Sequence, residues 1–205
     1  MSKLINGFEH VFIDKRSATT LLLLHGTGGN EQDLIPLGEE LDPQANILSV
    51  RGKVLENGMP RFFKRLSEGV FDRDDLMKRS EELGDFLMQS ADIYKLSLTS
   101  IIAVGYSNGA NIALHLAASN PSVLHRAILL RPMSAALPDK VSSLSEVRLL
   151  ILSGLFDSMV PPEDTDQLSE AFASHGAETT VEKIPTGHGL TKHDIALAQK
   201  WLQSL

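Results

Sequence analysis

The stretch "SIIAVGYSNGANIALHLAAS", residues 100–119, holds the turn on which the fold is read. Its first seven residues are largely apolar and β-branched, as in a buried strand. Its last eight are apolar almost all round, as in a helix packed against a sheet. Between them Gly105-Tyr106-Ser107-Asn108-Gly109 matches G-x-S-x-G, the pattern of a serine on a sharp strand-to-helix elbow. The requirement is steric. The serine takes a strained backbone so that its hydroxyl projects from the sheet edge, and the glycine two residues to either side lets strand and helix approach closely. A Gly/Ser turn without chemical consequence has the same five letters, so the surrounding chain has to discriminate. Tyr106 receives no role from the pattern.

Working outward, short apolar runs alternate with segments of helical period. The predicted strands are residues 10–14, 19–25, 46–50, 100–106, 126–131, 148–154 and 179–184. Several are apolar at consecutive positions, which suits strands buried on both faces of a parallel sheet. Asp33 is placed to cap a helix "LIPLGEEL" with Pro36 in its first turn, where proline is tolerated. From Asp74 to Tyr94, Leu76, Leu83, Leu87, Ala91 and Tyr94 recur at helical spacing, and Thr191 and Asp194 form a capping box ahead of Ile195, Ala198, Leu202 and Leu205. Strands alternating with helices predict one α/β domain over residues 1–205, with a mainly parallel sheet flanked by helices. Chemistry in such sheets gathers at the carboxyl edge of the strands.

Composition narrows the function classes. The chain has 205 residues, a formal charge of −7 and no cysteine. Thiolate chemistry, disulfides and cysteine zinc sites are therefore excluded, and no basic excess exists to neutralise nucleic-acid phosphates. No apolar run approaches the roughly 20 residues that span a bilayer, and the N-terminal stretch lacks the apolar core of a signal peptide. The expectation is a cytoplasmic protein that neither inserts in membranes nor binds nucleic acid, with a homodimer left open.

A serine hydroxyl needs a base to take its proton, and the base needs a carboxylate to orient it. After a nucleophile elbow the chain order is Ser, then Asp or Glu, then His. "LLILSGLFDSMVPP" supplies Asp157 beyond a predicted strand, and "KIPTGHGL" supplies His188 beyond the last one. Asp after a strand is commonly a turn residue and His between glycines is commonly plain surface; the conjunction in the correct order is what carries weight. His10, His115, His125, His175 and His193 lack such a setting and read as structural or solvated. The tetrahedral oxyanion needs backbone donors as well. Asn108, after the serine, supplies one N–H. "LLLLHGTGGN" follows an earlier strand and supplies the other at Thr27, with Gly26, Gly28 and Gly29 freeing the backbone and His25 bracing the loop. Neither G-x-G-x-x-G nor the P-loop pattern fits that stretch.

Together "LLLLHGTGGNEQDLIPL", "RGKVLENGMPRFF", "GYSNGAN", "GLFDSMVP" and "GHGL" resemble the bacterial carboxylesterase/phospholipase branch of the α/β-hydrolases. That branch is related to acyl-protein thioesterases and, more distantly, to dienelactone hydrolases. The resemblance runs from about residue 20 to the C-terminus. It implies a Ser107-His188-Asp157 triad acting on small acyl or aryl carboxylic esters, no cofactor, no metal and little or no lid. The chain agrees on the lid, since only about 16 residues separate the strands ending near Arg131 and starting near Arg148. "RGKVLENGMPRFF" is similar to hydrolases linked to quinone and hydroquinone stress, which brings small aromatic esters into view. Two departures stand out. Acyl-protein thioesterases carry Gln where this chain has Asn108, and dienelactone hydrolases use a cysteine nucleophile.

For substrate selection, Arg51, Arg61 and Arg131 are candidates to grip a carboxylate by paired hydrogen bonds. The competing expectation is internal pairing with Glu56, Glu68 or Asp72. Met59, Phe62 and Phe63 are candidates to line an apolar acyl or ring pocket, with plain core packing as the alternative. An acyl thioesterase or lysophospholipase with the same triad stays open, as does a hydrolase-fold protein that binds a small ligand with little turnover.

Overall fold

In the computed structural model, which describes residues 3–138, 141 and 143–205, the apolar runs pair edge to edge. The chain opens with β1 (Lys3–Ile5), β2 (Phe8–Ile13) and β3 (Thr20–Leu24), then α1 (Ile35–Leu41) and β4 (Asn46–Val50). Two small hairpins follow, β5 (Val54–Glu56) with β6 (Met59–Arg61) and β7 (Arg65–Ser67) with β8 (Val70–Phe71). The rest alternates: α2 (Arg73–Tyr94), β9 (Ile101–Tyr106), α3 (Asn108–Ser119), β10 (Arg126–Leu130), β11 (Arg148–Gly154), α4 (Pro162–Ser174), β12 (Glu178–Ile184) and α5 (Lys192–Leu202).

The main sheet runs β1-β2-β4-β3-β9-β10-β11-β12. From β4 to β12 its neighbours are parallel; β1 and β2 join antiparallel at one edge. After β3 the chain steps to β4 on one side, and it later returns to build β9 through β12 on the other. The order therefore reverses between β3 and β9, and ligands of open α/β sheets bind beyond the carboxyl ends at such a point.

Burial explains why the strand runs are apolar without alternation. Leu22 and Leu24 enter the core layer under α2 and α3, while Leu21 and Leu23 enter the opposite layer, which also takes Ala198 and Trp201 of α5. Each fully buried leucine contributes about 1.5–3 kcal/mol relative to exposure. Helix α3 is sandwiched so closely that its residues 108–118 are all buried.

Several local features differ from the sequence reading. Helix α1 starts at Ile35 with Leu34 as its N-cap residue, so Asp33 does not cap it. The Asp33 carboxylate instead turns back and accepts from the Asn30 N–H, closing a tight turn. Pro162 opens α4, a helix the Pro161-Pro162 pair concealed, because proline suits a first turn as well as a loop. Hairpins β1–β2 and β5–β6 each close on Asn-Gly with positive φ at both residues, Asn6 (48°) and Gly7 (75°), Asn57 (52°) and Gly58 (80°). That is the two-residue turn such dipeptides favour, and it was the available signal for both. The β10-to-β11 connection carries only one short 3₁₀ turn, Ser134–Ala136, among the described residues, so no cap domain is inserted there. Asp139, Lys140 and Ser142 of that connection lie outside the described residues. No helix among the described residues is long and apolar enough to cross a membrane.

Candidate active site

Ser107 sits between β9 and α3 with φ 52° and ψ −112°, a conformation that L-residues avoid. Its neighbours impose it. The Ser107 N–H donates to the Leu130 carbonyl (2.8 Å), and its carbonyl accepts from the Asn111 N–H (3.0 Å). A Cβ on Gly105 would meet the Gly109 carbonyl at 2.5 Å, and a Cβ on Gly109 would run into the Leu24 carbonyl. Both positions therefore need glycine for the helix to start this close to the sheet.

His188 follows β12 and Asp157 follows β11, so the carboxyl ends of β9, β11 and β12 bring the three residues to one edge of the sheet. His188 Nε2 lies 3.0 Å from Ser107 Oγ, and Nδ1 lies 2.8 Å from Asp157 Oδ2. The other oxygen, Oδ1, accepts from the N–H groups of Met159 (2.8 Å) and Val160 (3.2 Å). With its side chain fully buried, Asp157 holds one face toward His188 and anchors the other in its own loop. The carboxylate oxygen orients Nδ1 as the donor, which leaves Nε2 free to accept from the serine hydroxyl.

The loop after β3 forms a turn, with the Gly29 N–H donating to the Gly26 carbonyl (3.1 Å) and Gly28 at φ 84°. Asn108 is the first residue of α3, where a helix leaves its N–H groups without intrahelical acceptors. The β5–β6 hairpin clasps both places. The Gly28 N–H donates to the Pro60 carbonyl (2.9 Å), Arg61 Nη1 donates to Thr27 Oγ1 (2.7 Å), and the Phe62 N–H donates to Asn108 Oδ1 (2.8 Å). His25 holds the loop from behind. Its Nε2 accepts from the Gly52 N–H (3.0 Å) while Nδ1 donates to the Gly26 carbonyl (2.6 Å), which defines a neutral ring; burial lowers its pKa in the same sense.

The arginines and phenylalanines proposed for substrate stand elsewhere. Arg131 is fully buried against Asp194 (Nη1–Oδ1 2.7 Å), so its guanidinium is not offered to a ligand. Arg61 is buried too and divides its donors among Thr27, the Phe63 carbonyl and Glu56. Arg51, a third exposed, is held by Glu31 and Glu9, partners different from those expected. Phe62 and Phe63 belong to the core, Phe63 edge-on to Phe71 at 5.0 Å. Large apolar side chains repay burial more than a half-wet rim would. Met59 alone of that set is exposed, its sulfur 3.6 Å from a Cβ built on Gly28. Leu155, Phe156 and Met159, exposed apolar residues on the Asp157 loop, are not among the predicted candidates; their signal was an apolar cluster beside a candidate carboxylate. A cavity of about 510 Å³ lies apart, beside α2 and α3, and none of Ser107, Asp157 and His188 lines it. Among the described residues no three His, Asp or Glu side chains gather as a metal site would need.

A mainly parallel sheet, a serine on a strand-to-helix elbow and Ser-His-Asp contacts at the carboxyl edge define an α/β-hydrolase of the carboxylesterase branch. Residues 72–199 match the dienelactone hydrolase family, and the chain belongs to that family. It is 45% identical over 193 residues to MhqD of Bacillus subtilis (strain 168), named a hydrolase, covering 94% of this chain and 96% of that protein. A carboxylesterase from Bacillus cereus superposes with a TM-score of 0.93 at 41% identity, covering 96% of this chain and 94% of that one. A carboxylesterase from Mesorhizobium loti superposes with a TM-score of 0.92 at 30% identity, covering 100% of this chain and 99% of that one.

Proposed function

We propose that the protein is a serine carboxylesterase that cleaves small acyl or aryl esters through an acyl-enzyme. The observation that carries this reading is the unbroken contact chain Ser107 Oγ, His188 Nε2, His188 Nδ1, Asp157 Oδ2. His188 takes the Ser107 proton as Oγ attacks the ester carbonyl carbon. The carbonyl oxygen gains negative charge and is held by the N–H groups of Thr27 and Asn108. The tetrahedral adduct collapses; the carbon–oxygen bond to the alcohol breaks, and that oxygen leaves with the proton carried by His188. Water then attacks the acyl-serine with His188 again as base. This releases the acid and restores the serine. No cofactor takes part in these steps.

Exposed apolar side chains beside the site loops, Met59 next to Gly28 and Leu155, Phe156 and Met159 around Asp157, support an apolar acyl or aryl group in the substrate. The absence of a cap in the described β10–β11 connection supports small substrates that reach the serine directly. A fluorophosphonate should add one label to the protein, detected by intact mass and mapped to Ser107. An unlabelled protein, or a label that persists in Ser107→Ala, overturns the assignment. Kinetics on p-nitrophenyl acetate, longer p-nitrophenyl esters and acyl thioesters should favour the short ester; a preference for the thioester overturns the substrate class.

A further inference from the structure

We infer that Arg131, Asp194 and Tyr106 form a clamp whose task is to position His188. The inference rests on the triad reading above and deepens it. Three consecutive backbone carbonyls at His188 are held by side chains. Gly187 O accepts from Arg131 Nε (3.2 Å), His188 O accepts from the Tyr106 hydroxyl (3.2 Å), and Gly189 O accepts from Arg131 Nη2 (3.0 Å). The peptide units on both sides of the imidazole are thus tied to side chains from the ends of β9 and β10.

The guanidinium is fully committed. Nε–H serves Gly187. The two Nη1 protons serve Leu152 O (3.2 Å) and Asp194 Oδ1 (2.7 Å), and the two Nη2 protons serve Gly189 O and Asp194 Oδ2 (3.1 Å). All five donors of a rigid planar fork are used, a pattern that a lysine ammonium with three donors cannot reproduce. Arg131 reaches this place with a left-handed backbone at φ 61° and its own N–H on Leu152 O (2.8 Å). A strained residue persists only where its surroundings hold it.

Asp194 is anchored in turn. Its Oδ2 accepts from the Thr191 N–H (2.8 Å) and the Thr191 hydroxyl (2.8 Å), so the capping box of α5 doubles as the seat of the arginine. The Tyr106 ring stands 5.5 Å from the His188 ring and contacts the space over Gly26, where a Cβ would meet it at 3.0 Å. One side chain therefore touches the loop of Thr27 and the loop of His188 together. These three residues touch no reacting atom. They act through the His188 backbone.

The test uses Tyr106→Phe, which keeps the ring and removes one hydroxyl, and Arg131→Lys, which keeps the charge and loses the fork. Each is measured beside wild type on a neutral p-nitrophenyl ester and on one bearing a carboxylate, with fluorophosphonate labelling and circular dichroism. Folded Arg131→Lys should lose kcat by about 10²-fold, the scale of a misplacement near 1 Å, with KM within about twofold on both esters. Tyr106→Phe should lose several-fold in kcat with the same KM, and labelling should slow in parallel. If Arg131→Lys does not fold, Tyr106→Phe decides alone. Wild-type kcat in the folded variants overturns the clamp, as does a loss confined to KM for the carboxylated ester, which would make Arg131 a substrate contact. A wild-type protein that takes no label overturns the triad itself, and that result is distinct from labelled wild type with unaffected variants.

Discussion

Asn108→Ala tests the link between the β5–β6 hairpin and the serine elbow. Asn108 Oδ1 accepts from the Phe62 N–H at 2.8 Å, and the two residues are 3% and 1% exposed. Removing the acceptor leaves a buried donor unpaired, which costs about 1–3 kcal/mol. Part of this is offset. Asn108 Nδ2 is buried without a partner among the described residues, and the substitution removes that amide as well. The net destabilisation is therefore expected at the low end, about 1 kcal/mol, or a Tm lower by roughly 2–4 °C for a domain of this size. The effect on turnover should exceed the effect on stability. Phe62 is continuous with Pro60 and Arg61, whose bonds to Gly28 and Thr27 hold the loop assigned to the oxyanion. A fall in kcat of about tenfold corresponds to some 1.4 kcal/mol of lost transition-state stabilisation. Thermal unfolding and steady-state kinetics on p-nitrophenyl acetate measure the two. An unchanged Tm would refute the buried bond, and a lowered Tm with wild-type kcat would refute its connection to the oxyanion loop.

Asp157→Asn keeps an acceptor for the Met159 and Val160 N–H groups, so the fold should persist while kcat falls by about 10⁴-fold through the wrong His188 tautomer; loss within tenfold would refute the triad role. Gly109→Ala drives a methyl into the Leu24 carbonyl, and at least about 3 kcal/mol of destabilisation or insoluble protein is expected; a wild-type Tm contradicts this packing. Burial lowers the pKa of His25, so the unfolded chain binds the proton more readily. Stability should be complete above about pH 6.5 and decline as pH falls from there toward the folded pKa. His10 and His125 are lowered by burial in the same direction, so His25→Gln should flatten, without abolishing, the fall of Tm between pH 6.5 and 5. An unchanged slope in that variant contradicts the neutral ring.

Local chemistry accounts for what was legible. The period-free apolar runs at 46–50 and 148–154 mark strands buried on both faces, and the sheet contains strands with those limits. The capping box at Thr191 and Asp194 depends on residues three apart and is present. Ser107, Asp157 and His188 were picked out by order and by their places after strands, and parallel pairing of β9 through β12 brings those strand ends to one edge. Helix α4 was missed because a double proline is ambiguous. The two Asn-Gly hairpins were missed because β1, β5 and β6, of three residues each, are too short to show alternation.

By itself, then, the sequence determined the alternation of strands and helices, the elbow and the chain order of Ser107, Asp157 and His188. Each of these is written in residues adjacent in the chain or in the succession of elements. Only the tertiary structure decided what the arginines and aromatics do. Arg131 has its partners 56 to 63 residues away at Gly187, Gly189 and Asp194, and Phe62 meets Asn108 across 46 residues. A charged side chain at a strand end reads the same whether it faces substrate or a buried carboxylate. The difference lies in which groups the packed sheet brings within hydrogen-bond reach, and in the cost of leaving a buried donor unpaired.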